Sequence, residues 1–319
     1  MRALVTGAAG FVGQWLSAEL LRRGWTVYGA CLGADVPPGA LGVDDRRAVR
    51  WLVCDVTRTE ALRGALDASA PDAIFHLAGV AFVPAASSDP GGTFEVNTVA
   101  AVRLLAEVGA RRRAGTLDPV VLVVGSGEQY GRHDSRDQPL TERAEQRPLN
   151  VYAASKAAQE VAAFAAHRGW GVRVVATRSF NHGGPGQSPG FLVPALVGRA
   201  LALRAAGGTT LSVGNTSTVR DFLHVSDVAR AYIALAERGA AGEAYNVASG
   251  RGVTVAQIAE RVLALLGVQA KLEVDPALVR SVEVPELVGD AAKLRAATGW
   301  AAERSLDSLI EDVIRATAH

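Results

Sequence analysis

The chain has 319 residues, 49% of them hydrophobic and 20% charged, the balance of a folded globular protein with room for one large domain and a smaller one. Its net charge of +1 creates no field that would gather nucleic acid or a membrane surface, so an anionic ligand must be held by a few placed groups. Cys31 and Cys54 cannot build a disulfide framework and read as small residues of a reducing compartment; with no signal peptide and no run near the roughly 18 apolar residues of a membrane span, a cytoplasmic location is expected.

The first element is a strand over residues 3–6, which runs into Thr6-Gly7-Ala8-Ala9-Gly10-Phe11-Val12-Gly13 and then a helix over 11–23 that Gly24 ends. A strand that turns through glycines into a helix N-terminus is a site for a pyrophosphate: Gly7 permits the turn, Gly10 lets backbone approach the phosphates, and Gly13 lets the helix pack on the strand. The spacing is G-x-x-G-x-x-G. Further strands follow over 26–31, 51–54 and 73–77, with a loop marked by Pro37, Pro38, Gly39 and Gly42 and a helix over 58–69. A long helix is expected over 91–112, an almost wholly apolar strand over 119–124, a helix over 152–167 and a strand over 172–176. This alternation predicts an α/β fold, a Rossmann-type doubly wound parallel sheet with ligands at the carboxyl ends of its strands.

After Phe180 the pattern changes. Helices over 191–206, 225–238 and 255–266 alternate with short strands over 211–213, 245–247 and 270–274, which reads as a smaller C-terminal α+β substrate lobe. The expected division is a dinucleotide-binding domain over 1–180 and a lobe made mainly of 181–319, with some chain free to return to the first domain.

Tyr152 and Lys156 stand at i and i+4 on one helical face. A neighbouring ammonium favours the phenolate, so Tyr152 is expected to be lowered toward working pH and to exchange a proton with a carbonyl or hydroxyl oxygen while hydride moves to or from a nicotinamide. Ser126 follows the apolar strand and can hydrogen-bond the same oxygen. The bland alternative is a packed Tyr beside a solvated Lys.

With these residues in view, the chain resembles the extended short-chain dehydrogenases/reductases that act on nucleotide sugars. The matching stretches are the glycine turn, His76-Leu-Ala-Gly79, Val124-Gly-Ser-Gly-Glu-Gln-Tyr-Gly131, Tyr152-Ala-Ala-Ser-Lys156 and Val219-Arg-Asp-Phe-Leu-His-Val-Ser-Asp227. The segments 75–84, 179–187 and 280–289 look most like GDP-4-keto-6-deoxy-D-mannose reductases, which make GDP-D-rhamnose, and in part like GDP-mannose 4,6-dehydratases. Ser281 and Gly183 depart from the pattern. The resemblance implies a nicotinamide cofactor held by Gly7, Gly10, Phe11, Val12, Gly13, Asp55, Val56, Leu77, Ala78, Gly79, Tyr152 and Lys156. It implies a GDP-linked sugar held by Ser126, Asn181, Arg220 and Arg280, and a homodimer through the helices over 91–112 and 152–167.

Several of these positions have a plain structural reading as well. Asp55 can cap the next helix, Asn181 can belong to the turn before Gly183-Gly184-Pro185, Arg220 can pair with Asp221, and Arg280 can be solvated. The end of the second strand, Tyr28 to Gly33, carries neither the acid that selects NAD nor the arginine that selects NADP; the missing acid leans to NADP(H), and Asp35 comes slightly later. Glu128 lies where resembling dehydratases keep the base that removes a proton beside a ketone, and it also reads as a hydrogen-bonding wall residue. The six histidines show no metal-ligand spacing, so no metal is expected. The expected activity is reduction of a 4-keto-6-deoxy nucleotide sugar. A 4,6-dehydratase, a 4-epimerase and a catalytically silent dinucleotide sensor stand as alternatives.

Overall fold

A computed structural model of the chain describes residues 1–33, 36, 39–279 and 283–317. Seven parallel strands form the main sheet: β1 (Arg2–Thr6), β2 (Thr26–Cys31), β3 (Arg50–Val53), β4 (Ala73–His76), β5 (Val120–Ser126), β6 (Arg173–Ser179) and one that arrives much later in the chain. β1 pairs with both β2 and β4, so the strand order reverses there and a crevice opens at the carboxyl ends. Helices cover both faces: α1 (Phe11–Arg22), α2 (Val43–Ala48), α3 (Thr59–Ser69), α4 (Val83–Ser88), α5 (Pro90–Phe94), α6 (Ala100–Arg113) and α7 (Val151–Trp170). With cover on both sides, β4 and β5 are buried almost throughout, as their unbroken apolar runs require.

The rest is α8 (Leu192–Ala206), α9 (Val225–Arg238), α10 (Val255–Leu266), α11 (Ala292–Thr298) and α12 (Leu306–Thr317), with β7 (Asn181–Gly183), β8 (Thr210–Val213), β9 (Val219–His224), β10 (Glu243–Val247), β11 (Gly252–Thr254), β12 (Lys271–Val274) and β13 (Glu286–Leu287). β9 lies between β11 and β13 and also pairs with β7, while β8 and β12 make a two-stranded parallel pair. Leu196, Val197, Ile258, Val262, Leu309 and Ile310 form a separate core for α8, α10 and α12.

Several elements differ from the sequence reading, and β7, β9, β11, β13, α11 and α12 were not foreseen in it. β10, expected in the lobe, pairs in parallel with β6 as the seventh strand of the main sheet; its buried residues suit a covered parallel edge as well as a lobe strand. The helix expected over 91–112 is α5, a π-turn over Glu95–Val99 and α6, preceded by the unforeseen α4. The π-turn has a side-chain cause: Asn97 accepts from the Val80 N–H at 2.7 Å and donates to the Ser155 hydroxyl at 2.9 Å, which holds it toward the site. α2 also lies where only a loop was expected, and Asp35, Pro37 and Pro38 lie outside the described residues.

Candidate active site

β1 ends at Thr6 and the chain turns through Gly7 at φ +72°. A Cβ there would be strained and would stand 2.8 Å from the Ala78 backbone nitrogen. At Gly13 a Cβ would lie 2.2 Å from the Gly7 carbonyl oxygen, so glycine alone lets α1 rise this close to the turn. α1 begins at Gly10 with no side-chain cap, which leaves its first N–H groups and the positive end of its dipole for an anion. Gly7, Gly10, Phe11, Val12 and Gly13 line a cavity of 610 Å³, with Leu77 and Gly79 from the end of β4. A cradle that any Cβ would fill, beside uncapped helix N–H groups, fits a dinucleotide pyrophosphate.

Another part of the wall carries the expected catalytic groups. Asn150 caps α7 by accepting from the Ala153 N–H at 2.8 Å, which puts Tyr152 in the first turn and Lys156 one turn on. β5 delivers Ser126 to the same place, where its hydroxyl accepts from the Glu128 N–H at 3.2 Å and acts on the Tyr152 phenol. Lys156 is buried, and its ammonium donates to the Val124 carbonyl at 2.8 Å and to Gln159 Oε1 at 3.3 Å. Burial lowers it from the ordinary lysine value to about 8. Burial also pushes Tyr152 up to about 12, the Ser126 hydrogen bond pulling it down and the Glu128 charge pushing it up. The expected lowering of Tyr152 by Lys156 is therefore corrected: desolvation of the phenol is the dominant effect.

A buried polar frame fixes this corner. The Ser126 N–H donates to Gln129 Oε1 at 2.7 Å, and Gln129 donates to Glu160 at 3.0 Å. Glu160, two turns beyond Tyr152 on α7, holds Arg178 of β6 through a bidentate pair at 2.9 and 2.6 Å. Arg178 donates in turn to the Tyr130 hydroxyl at 3.0 Å, and Tyr130 donates to Asn246 of β10 at 2.7 Å. The strand end bearing Ser126 and the helix bearing Tyr152 are thus locked in register.

The remaining expected residues divide. Glu128 lines the cavity and accepts from the Asn150 amide at 3.3 Å; Asn181 lines it from the start of β7. Ala78 lies behind the wall, its N–H donating to the Thr6 hydroxyl at 3.2 Å. Asp55 and Val56 are not among the lining residues; Asp55 accepts from the Thr57 N–H at 2.9 Å and its hydroxyl at 2.7 Å, which lowers its carboxyl. Arg220 lines a second cavity of 380 Å³, with Glu283, Asn150 and Leu149; Val83 and Glu128 line both cavities and so mark where they meet. Asp221, on the other face of β9, accepts instead from the Ser249 N–H and hydroxyl at 2.8 and 2.6 Å and from the Gly250 N–H at 2.9 Å. Arg280 and Ser281 lie outside the described residues.

The sequence reading missed several lining residues. Ser179 and Tyr232 close the floor with their hydroxyls 2.8 Å apart, Tyr232 arriving from α9 with no local motif to announce it. Phe82 and Phe191 meet edge to face at 5.8 Å across the mouth, one from each half of the chain. His182 had a signal, its place beside Asn181, which was read only as one of several scattered histidines.

Comparison with known proteins covers almost the whole chain. The family profile described as GDP-mannose 4,6 dehydratase matches residues 4–313. A GDP-6-deoxy-D-mannose reductase from Pseudomonas aeruginosa is 34% identical over 98% of this chain and 96% of that protein. Among solved structures, RMD from Pseudomonas aeruginosa complexed with NADPH superposes with a TM-score of 0.83 at 29% identity, covering 100% of both chains. A Thermus thermophilus UDP-glucose 4-epimerase in complex with NAD superposes with a TM-score of 0.85 at 28% identity, covering 100% of this chain and 99% of that one.

Proposed function

The chain belongs to the GDP-mannose 4,6 dehydratase family of extended short-chain dehydrogenases/reductases, nucleotide-sugar enzymes that act with NAD(P), and from that premise we propose that it reduces a nucleotide-linked 4-keto-6-deoxyhexose. The favoured substrate is GDP-4-keto-6-deoxy-D-mannose and the product GDP-D-rhamnose. The observation that carries the reading is the convergence of Ser126, Tyr152 and Lys156 on one wall of a cavity whose other wall is the glycine cradle. The similarity to a GDP-6-deoxy-D-mannose reductase supports the substrate class. NADPH is favoured as reductant, because β2 ends without an acid and RMD is seen with NADPH.

In this reading Ser126 orients the carbon-4 carbonyl by hydrogen bonding. Tyr152 gives its phenolic proton to the oxygen as charge develops there. A reduced nicotinamide, when bound, supplies the hydride. Lys156 carries the positive charge that favours the phenolate left behind and binds ribose hydroxyls. Arg220 and Arg280 clamp the diphosphate, Arg forks matching phosphate oxygens, and Asn181 holds the sugar side. Gly7, Gly10, Phe11, Val12, Gly13, Leu77 and Gly79 hold the dinucleotide, with Ala78 supporting them; Asp55 and Val56 are kept for its adenosine end. Residues 1–180 serve as the dinucleotide domain and 181–319 mainly as the substrate lobe. The half-exposed Phe94 and Trp170 and the exposed Val161, along α5 and α7, support a homodimer through that face.

A second reading is favoured by Glu128, whose place at the junction of the two cavities suits a base for 4,6-dehydration. Elimination also requires a proton for the leaving hydroxyl, and among the described residues Glu128 is the one carboxylate lining the main cavity, which supports reduction over dehydration. The deciding experiment incubates the protein with GDP-4-keto-6-deoxy-D-mannose and NADPH or NADH, and separately with GDP-mannose and NADP. Stoichiometric loss of reduced nicotinamide in the first supports the reductase. A 4-keto-6-deoxy product from GDP-mannose without net cofactor change establishes the dehydratase instead, and interconversion of 4-epimers without net cofactor change establishes the epimerase.

A further inference from the structure

Gln159 lies on the buried side of α7, one turn beyond Lys156, and nothing in the proposed chemistry uses it. Its Oε1 stands 3.3 Å from the Lys156 ammonium, which can only donate, so the amide orientation is fixed: the oxygen faces Lys156 and Nε2 is the other end. Nε2 is buried as well, and among the described residues it has no hydrogen-bond partner. A buried amide with an unmet donor costs stability, and an apolar side chain of the same length would fill the space at less cost. Packing therefore does not account for a glutamine here. Among the described residues, the one polar contact of its side chain is Lys156.

That contact completes a geometry. An ammonium carries three N–H groups. One goes to the Val124 carbonyl at 2.8 Å and one to Gln159, which leaves the third for the cavity that Lys156 lines. Asn97 is the other amide at this corner: a Cβ on Gly79 would stand 2.8 Å from its Oδ1 and 3.4 Å from the Lys156 nitrogen. Asn97 is already committed, its oxygen to the Val80 N–H and its nitrogen to Ser155. With the Val124 carbonyl alone, a flexible four-carbon stem could swing its nitrogen about a single hydrogen bond. We propose that Gln159 is a positioning residue for Lys156, its amide oxygen holding the ammonium beside β5 so that the third N–H points into the cavity. The inference rests on the reading of Lys156 as the cation of the reduction.

The titratable groups around Lys156 are Tyr152 and Glu160 on α7, His76 at the end of β4 and Glu128 after β5; the π-turn presents Asn97, which does not titrate. Burial and the Lys156 charge hold His76 down to about 3, so it stays neutral near pH 8. Glu160 is committed to Arg178. All four groups are the same in wild type and Gln159 variants, so their contributions cancel in the difference.

The test compares wild type with Gln159→Met, an unbranched apolar replacement, and Gln159→Glu, which puts a carboxylate at the same place. The lysines of the chain are Lys156, Lys271 and Lys293, so isotope-labelled lysine gives few side-chain NMR signals, and the one missing from Lys156→Met is Lys156. Its titration is followed in the protein without ligands, where burial holds the wild-type ammonium near 8. Gln159→Met removes an acceptor that favours the cation and is expected to move the midpoint down by about one unit; Gln159→Glu is expected to move it up by about one or more. The alkaline limb of kcat/KM for the keto sugar nucleotide should move with it, so Gln159→Met loses about fivefold at pH 8. The melting temperature of Gln159→Met is expected to equal or exceed that of wild type, because an unmet buried donor is gone. A Lys156 titration and an alkaline limb that both stay at wild-type values in Gln159→Met overturn the proposal, and a lowered melting temperature beside them would mark Gln159 as a packing residue. Full turnover in Lys156→Met refutes the catalytic reading of Lys156 instead, and the NMR titration still decides whether Gln159 holds its ammonium.

Discussion

The two cavities are built on different principles. The main one is walled by short sequence stretches that each bring their own geometry: the glycine turn, the end of β5 and the first turns of α7. Behind it lies a buried lattice of paired polar groups, Gln129, Glu160, Arg178, Tyr130 and Asn246. The second cavity is assembled from distant pieces: α4, the loop before α7, β9 and the chain before β13. A wall with a buried frame holds reacting atoms to a fraction of an ångström. A wall gathered from loops and a separate core can adapt to a ligand but cannot hold it as tightly.

The largest expected effect breaks the comparison at its rigid side. Tyr152→Phe removes the proposed proton donor and is expected to lower kcat about a thousandfold while NADPH affinity stays within about twofold. Steady-state kinetics with fluorescence titration checks this, and near-normal turnover would remove Tyr152 from the reaction. Nearly as large is the loss of the frame: Arg178→Leu leaves the Glu160 carboxylate buried without its partner and is expected to cost about 3–5 kcal/mol of stability. A denaturant midpoint like that of the wild type would show that the lattice is not what holds Ser126 and α7 together.

On the adaptable side, Arg220→Ala is expected to raise the Michaelis constant for the sugar nucleotide about ten- to hundredfold, with that for NADPH nearly unchanged. Equal effects on both constants would contradict the division of labour between the cavities. The smallest effect sharpens the comparison by pH. Burial holds Lys156 near 8, so its cation is complete below that pH and lost above it. The kcat/KM profile of the reduction should therefore fall by about tenfold per unit above about pH 8. A profile flat through pH 10 would mean that the reaction does not need the Lys156 charge in the free enzyme.

The legible parts of the site were those where neighbours in sequence are neighbours in space. Gly7 and Gly13 could be read because backbone sterics admit no other residue there. Tyr152 and Lys156 could be read because one helical turn separates them. Arg220 and Asp221 show the limit: adjacent in sequence, they were open to pairing with each other, and only strand pleating sends one to the cavity and the other to the loop over 249–250. Asn97 shows it again, since its π-turn depends on hydrogen bonds to Val80 and Ser155 from other elements.

By itself, then, the order of residues determined the parallel sheet, the glycine cradle and the trio of Ser126, Tyr152 and Lys156, because period, steric permission and helical spacing act over a few residues. Only the folded chain decided that β10 completes the main sheet, that Tyr232 reaches the floor from α9 and that Glu160 ties α7 to β5 and β6. It alone decided the protonation of the site as well. Desolvation raises the Tyr152 phenol and lowers the Lys156 ammonium, and burial is a property of everything packed around a group rather than of its neighbours along the chain.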